Sequence, residues 1–149
     1  MAHIRKQIRD AFAVRLAGLS YDIGSGAVSI GLETERVHAI PQENLPLVRI
    51  AWSSERILER SKDDERRSIV VNVEAWANGA PLQDKIDAMA AAVEVAICAD
   101  TELSGLAQMC RVEGTEFMAS GDGEQRTGVA VISFRVDVVT SAGDPATRS

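Results

Sequence analysis

Acidic side chains crowd together at Asp63-Asp64-Glu65, thiols stand at Cys98 and Cys110, imidazoles at His3 and His38, and two glycines flank a serine at Gly24-Ser25-Gly26. Each group suggests a chemistry. Adjacent carboxylates could offer oxygen ligands to a divalent ion, but three neighbours on a loop do not make the fixed set of oxygens such an ion needs. Zinc takes about four ligands, and neither histidine lies near a cysteine in sequence. A thiol nucleophile needs a base, which Cys98 and Cys110 lack among their sequence neighbours and could receive only from elsewhere in the fold. A Ser/His/Asp triad finds little support in two histidines set in mobile or edge-like contexts. The glycines lack the preceding strand, following helix and third glycine of a dinucleotide fingerprint, so they predict a turn.

General acid–base work needs titratable groups held in a partly desolvated pocket. The carboxylates here occupy solvent-like contexts instead, Asp63 to Glu65 in one charged run and Asp122 and Glu124 around a second turn. The sequence therefore predicts no catalytic residue, no cofactor and no metal site, and so a chain that is not an enzyme. A hydrolase would instead require His38 to meet a carboxylate in a pocket.

The composition agrees with a globular domain. The 149 residues include 46% hydrophobic and 26% charged residues, enough for one domain with a buried core. The formal net charge is −6, which argues against the basic footprint of tight or sequence-specific nucleic-acid binding. A wall that nucleic acid slides past would suit an acidic surface. No apolar run approaches the ~20 residues of a membrane span. The first residues, Met1 to Lys6, are basic but lead into a helical pattern, so no secretory signal is expected. The cytoplasm is then the default compartment, and both cysteines are expected to be buried free thiols.

The elements that would position these groups follow from periodicity. Ile4, Ile8, Phe12, Leu16 and Leu19 recur at steps of three or four, which predicts an amphipathic helix that stops near Gly18. A glycine turn and short strand follow over 21–31. Leu45 to Trp52 reads as a strand, with Val48, Ile50 and Trp52 on one face. Ser68 to Trp76 reads as another, its apolar face carrying Ile69, Val71, Val73 and Ala75. A second helix starts after Pro81 and carries Leu82, Ile86, Met89, Val93 and Ile97. An imperfect strand over 107–119, a turn at Gly121-Asp122-Gly123 and a clean strand over 129–139 make a final hairpin. Ala130, Ile132, Phe134, Val136 and Val138 should point inward. The fold class is α+β, a mostly antiparallel sheet with two helices packed on one face. Residues 1–139 form one domain, and 140–149 are expected to be a disordered tail.

Between the two middle strands lies a run of balanced charge. Glu55, Glu59, Asp63, Asp64 and Glu65 face Arg56, Arg60, Lys62, Arg66 and Arg67. It predicts a long hairpin whose tip stands in water, either merely solvated or docking on a neighbour through charge pairs. Glu55, Glu59, Arg60, Lys62, Asp63, Asp64, Glu65, Arg66 and Arg67 are the candidate interface. Trp52 and Trp76, on the strands leading to and from it, suit a core or an interface anchor. The other sheet face, with Asn72, Glu74, Arg135 and Asp137, is mixed and would be solvated or meet another subunit.

The order of these elements resembles the tail terminator family of long-tailed bacteriophages, the lambda-type minor tail protein U group. The opening helix 3–11, the strand 45–50, the stretch 67–74, the helix 82–94, the connection Leu103-Ser104-Gly105 and the closing strand 130–136 carry the resemblance. It spans roughly 5–139 and consists of patterned core positions rather than a chemical signature. The run 55–67 is more charged than in that family, and the residues after Thr140 have no counterpart. The resemblance implies a six-membered ring of this chain at the head-proximal end of the tail tube. Such a ring stops tube polymerisation and offers a surface to the head completion or connector protein, in the virion tail and, during assembly, the host cytoplasm. The alternative is a small intracellular ligand- or partner-binding α+β domain without catalysis.

Overall fold

The computed structural model describes residues 2–34, 45–121 and 126–148. The chain runs α1 (Ile4–Leu16), β1 (Ser20–Tyr21), β2 (Val28–Ser29), β3 (Gly31–Glu33), β4 (Leu47–Arg60), β5 (Asp64–Asn78), α2 (Leu82–Cys98), β6 (Met109–Ser120), β7 (Thr127–Ser141) and β8 (Asp144–Arg148). The strands β3-β4-β5-β7-β6 form one sheet in that order, β8 adds to β7, and β1 and β2 pair separately. All pairings in the large sheet are antiparallel except β3 with β4. The fold is α+β, with two helices against a mostly antiparallel, mixed sheet.

Helix α1 begins where His3 caps it, its Nδ1 accepting the Arg5 amide at 3.1 Å. Steps of four place Ile4, Ile8, Phe12 and Leu16 on one buried stripe. Gly18, at φ 73°, supplies the left-handed residue that ends it. In α2 the buried stripe is Ile86, Met89, Val93 and Ile97. These stripes meet the expected sheet face, Ile69, Val71, Val73 and Ala75 from β5 with Ala130, Ile132, Phe134, Val136 and Val138 from β7, in one core cluster. Phe12 and Phe134 meet edge to face at its centre, 5.5 Å between centroids.

Three expectations need correction. The charged segment forms the expected long hairpin, β4 with β5 and an exposed tip at Ser61, Lys62 and Asp63, but it is not a free two-stranded arm. Strand β7 pairs with β5 over the whole length from Asn78↔Thr127 to Asp64↔Ser141, so the hairpin tip is the far end of a wider sheet. The Ala142 amide donates to the Asp63 carbonyl at 2.7 Å and fastens that end. The residues read as a disordered tail include the end of β7 and all of β8. Main-chain bonding holds them, together with a hydrogen bond from the Gln7 side chain to the Ala146 carbonyl at 2.9 Å. Composition cannot show that kind of order. Finally, Cys110 is buried as expected but Cys98 is exposed, because it falls beside the apolar stripe that ends at Ile97.

The predicted glycine turn is present. Asp22 Oδ1 accepts the Gly24 and Gly26 amides at 2.7 and 3.2 Å, and both glycines have positive φ. The second predicted turn lies partly outside the described residues, at Asp122 and Gly123.

Candidate functional site

The densest constellation of charge sits where the helix-side face of the sheet runs past the first turn of α1. Two features of β4 and β5 create it. On β5, alternation carries the inward parity of Ile69 on to Arg67 and Glu65. On β4, the inward residues before the first irregularity are Val48 and Ile50, opposite Ala75 and Val73. A bulge between Trp52 and Ser54 then shifts the register, so that Glu55 stands opposite Ile69. Without that extra residue Glu55 would face the other side.

Arg67 is the hub, only 8% exposed. Its Nη1 reaches Glu55 Oε1 at 3.0 Å, its Nη2 reaches Glu65 Oε2 at 2.8 Å, and its Nε donates to Thr140 Oγ1 at 2.9 Å. The remaining carboxylate oxygens face further guanidinium groups, Arg5 Nε 3.6 Å from Glu55 Oε2 and Arg60 Nε 3.7 Å from Glu65 Oε1. Each of the four carboxylate oxygens therefore has a cation beside it. His3 borders the cluster, and its pKa is lowered by burial first and then by Arg5 and Arg67, with Glu55 opposing. A neutral imidazole also fits the acceptor role of Nδ1 at the helix cap.

The candidate interface residues thus divide. Glu55, Glu65 and Arg67 turn inward and brace the sheet, and Asp64 is half-buried. Glu59, Arg60, Lys62, Asp63 and Arg66 are exposed, together with Arg56, which the sequence had not singled out beyond its charge. The inward turn of Glu55 had no sequence signal, because nothing in the run of charges marks the bulge.

On the opposite face of the sheet a second group surrounds Arg49, which is 3% exposed. Its Nε lies 3.8 Å from Glu33 and its Nη1 3.8 Å from Glu74. Trp76 Nε1 donates to Glu74 at 3.0 Å, which places this tryptophan among the polar residues rather than under the helices. Ser133 donates to Asn72 at 2.9 Å and Arg135 to Asp137 at 3.1 Å, so the mixed face is internally paired at those positions. The alternation of Arg49 with Val48 and Ile50 gave its face but not its burial.

Burial pushes the Cys110 thiol up to about 12, and burial and Glu94 raise that of Cys98. Among the described residues no group of three or more His, Cys, Asp and Glu is arranged to hold a metal ion. His38 and Glu124 lie outside the described residues. No described helix is long and apolar enough to cross a membrane. A pocket of about 420 Å³ lies between the β1–β2 pair and the start of α2, lined among others by Tyr21, Val28, Pro46, Asn78 and Lys85. No protein-family model matches the chain, and no curated protein matches it.

Proposed function

We propose that this chain is a structural ring subunit of the tail terminator kind, capping the head-proximal end of a tail tube and presenting a surface for head joining. The observation that carries this reading is the ion-braced far end of the sheet. Charges at that density would be mobile on a free hairpin. Here the inward members lock the strands together, which leaves Arg56, Glu59, Arg60, Lys62, Asp63 and Arg66 on a stiff rim. A stiff rim of alternating charge suits choice of neighbour and register more than raw affinity. The order of helices and strands that resembles the terminator family supports the same reading. In it the partners are further copies of this chain in a six-membered ring, the tube protein and the head connector. The work is structural, needs no cofactor, and takes place in the virion tail after assembly in the host cytoplasm.

Light scattering of the purified chain should show a hexamer or a concentration-dependent approach to one, and the chain should halt growth of tube protein. A strict monomer at every salt concentration, with no binding to tube protein, would overturn the reading. Charge reversal by Arg66→Glu should weaken assembly and leave the melting temperature nearly unchanged, since exposed pairs contribute only about 0–1 kcal/mol to the fold, whereas Arg60→Glu should weaken assembly and also lower the melting temperature by setting a carboxylate beside Glu65.

The second reading, a small binding domain without catalysis, has the pocket beside Tyr21 in its favour. Burial raises the Tyr21 phenol pKa, and the Lys85 ammonium donates to the Asn78 carbonyl at 3.0 Å on the pocket wall. A two-fold dimer, with a small ligand lost on Tyr21→Ala, would favour it over the ring.

A further inference from the structure

The outer edge of β6 meets no described strand, because β6 lies at one end of the sheet and pairs with β7 alone. An open edge over Met109–Ser120 is a template for adding a strand. It also carries apolar surface. Met109, Phe117 and Met118 are 44%, 52% and 60% exposed, and the last two border a shallow pocket of about 220 Å³ that Leu82 and Ile86 also line.

A bulge makes this edge complementary to itself. The register of β6 against β7 shifts between Val112 and Gly114, which leaves Glu113 as the extra residue. Before it, Cys110 and Val112 stand opposite the inward Val136 and Phe134, so Met109 and Arg111 share the other face. After it, Thr115 and Phe117 stand opposite the inward Ile132 and Ala130, so Glu116 and Met118 join Met109 and Arg111 on that face. Without the bulge, Arg111 and Glu116 would lie on opposite faces. A second β6 laid antiparallel, about a two-fold axis normal to the sheet at the level of Glu113 and Gly114, therefore matches faces throughout. It sets Met109 against Met118, Cys110 against Phe117, Arg111 against Glu116 and Val112 against Thr115, each twice.

We infer that β6 pairs with β6 of a second copy in this register, an isologous contact that continues the sheet across a two-fold axis. Charge selects the register. Within the chain Arg111 stands opposite Arg135, a like charge, and in the pair each Arg111 gains the Glu116 carboxylate of the other copy. Sliding the strands by two residues keeps the faces but sets Arg111 against Gly114 or Met118, and both charge pairs are lost. Glu113 meets its own copy beside the axis, one like-charge encounter against two opposite-charge pairs. Met109 and Met118, exposed on each free chain, cover each other at both ends. The inference does not rest on the ring reading. No residue of the charged rim belongs to β6, so the rim stays free for other contacts, and a two-fold pair by itself does not choose between the ring and the small binding domain.

The test uses the full chain. Arg111→Glu and Glu116→Arg each set like charges together at both ends of the pair. Either variant alone should associate at least about ten-fold more weakly than the parent in analytical ultracentrifugation. Both should keep nearly the parent's melting temperature, since both positions are exposed. Mixed in equal amounts, the two variants restore an opposite pair at both ends, and association should return to the parent's strength with one chain of each kind. In a Cys98→Ser background, which removes the exposed native thiol, Met109→Cys and Met118→Cys on separate chains should cross-link only when mixed. In the pair each of these positions lies roughly 30 Å from its own copy. Single variants that associate as the parent does, or a mixture that does not recover, would overturn the pairing, and hexamers persisting in that case would leave the ring standing without it. Cross-links in either Cys variant alone would overturn the register. A parent that shows no self-association at any concentration removes the pairing outright.

Discussion

Two stretches of the same sheet face differ sharply. In the middle, β5 and β7 present Ile69, Val71, Val73, Ile132, Phe134 and Val136, and two helices cover them. Roughly 15 Å along the same strands, at ~3.3 Å per residue, the face presents Glu65, Arg67 and Thr140. There Arg5, in the first turn of α1, lies beside Glu55. The strands and their parity are continuous, so the change lies in what covers the face. Under the helices, carbon packs against carbon without regard to direction. Past them, directional ion pairs join the face beside Val138, and their loss leaves a charged partner behind.

The sharpest break of this comparison is Phe134→Ala. Phe134 is fully buried against Phe12, so the variant should lose about 3–5 kcal/mol in urea unfolding. A loss below about 1 kcal/mol would remove Phe134 from the core. At the ionic end, Arg67→Leu should cost about 3 kcal/mol, since it leaves Glu55 and Glu65 facing each other without their shared cation. The sharpening experiment is the triple variant Glu55→Leu, Glu65→Leu and Arg67→Leu, which should recover most of that loss because no charge is then stranded. If the triple variant is as unstable as the single one, the network contributes more than mutual neutralisation.

The smallest effect belongs to His3, which joins the two regions at the helix cap. Its folded pKa lies below the ordinary 6.5 because burial disfavours the imidazolium. Between the lowered folded value and 6.5 the unfolded chain binds more protons, so stability is full above pH 6.5 and declines as the pH falls through that window. His3→Gln should flatten this decline in unfolding curves recorded from pH 7 to pH 5. An unaltered pH profile would show that His3 is not the group responsible.

Much of the middle region was legible in the residues. The step-of-four stripes at Ile4, Ile8, Phe12 and Leu16 and at Ile86, Met89, Val93 and Ile97 lie where periodicity put them. Little of the ionic end was legible. Alternation from Ile69 gives the parity of Arg67 and Glu65 but not their pairing, and Glu55 looks the same in sequence as the exposed Glu59, because charge alone does not say which way a side chain points. The bulge beside Ser54 decides that for Glu55, and a single extra residue in a strand leaves no compositional trace. The closing strand β8 was missed for a related reason. Its order comes from pairing with Thr140 and Ser141 and from the Gln7 side chain rather than from apolar content.

By itself the sequence determined which residues are apolar at helical or strand spacing, and so the α+β class and the face each helix buries. That information is local, since periods of 3.6 and 2 are properties of neighbouring residues. The tertiary structure alone decided that β7 runs the length of β5 and that the charged run becomes braced sheet. Those outcomes depend on register between residues far apart in sequence, as in Arg67↔Val138, and register is settled only when all the strands pack together.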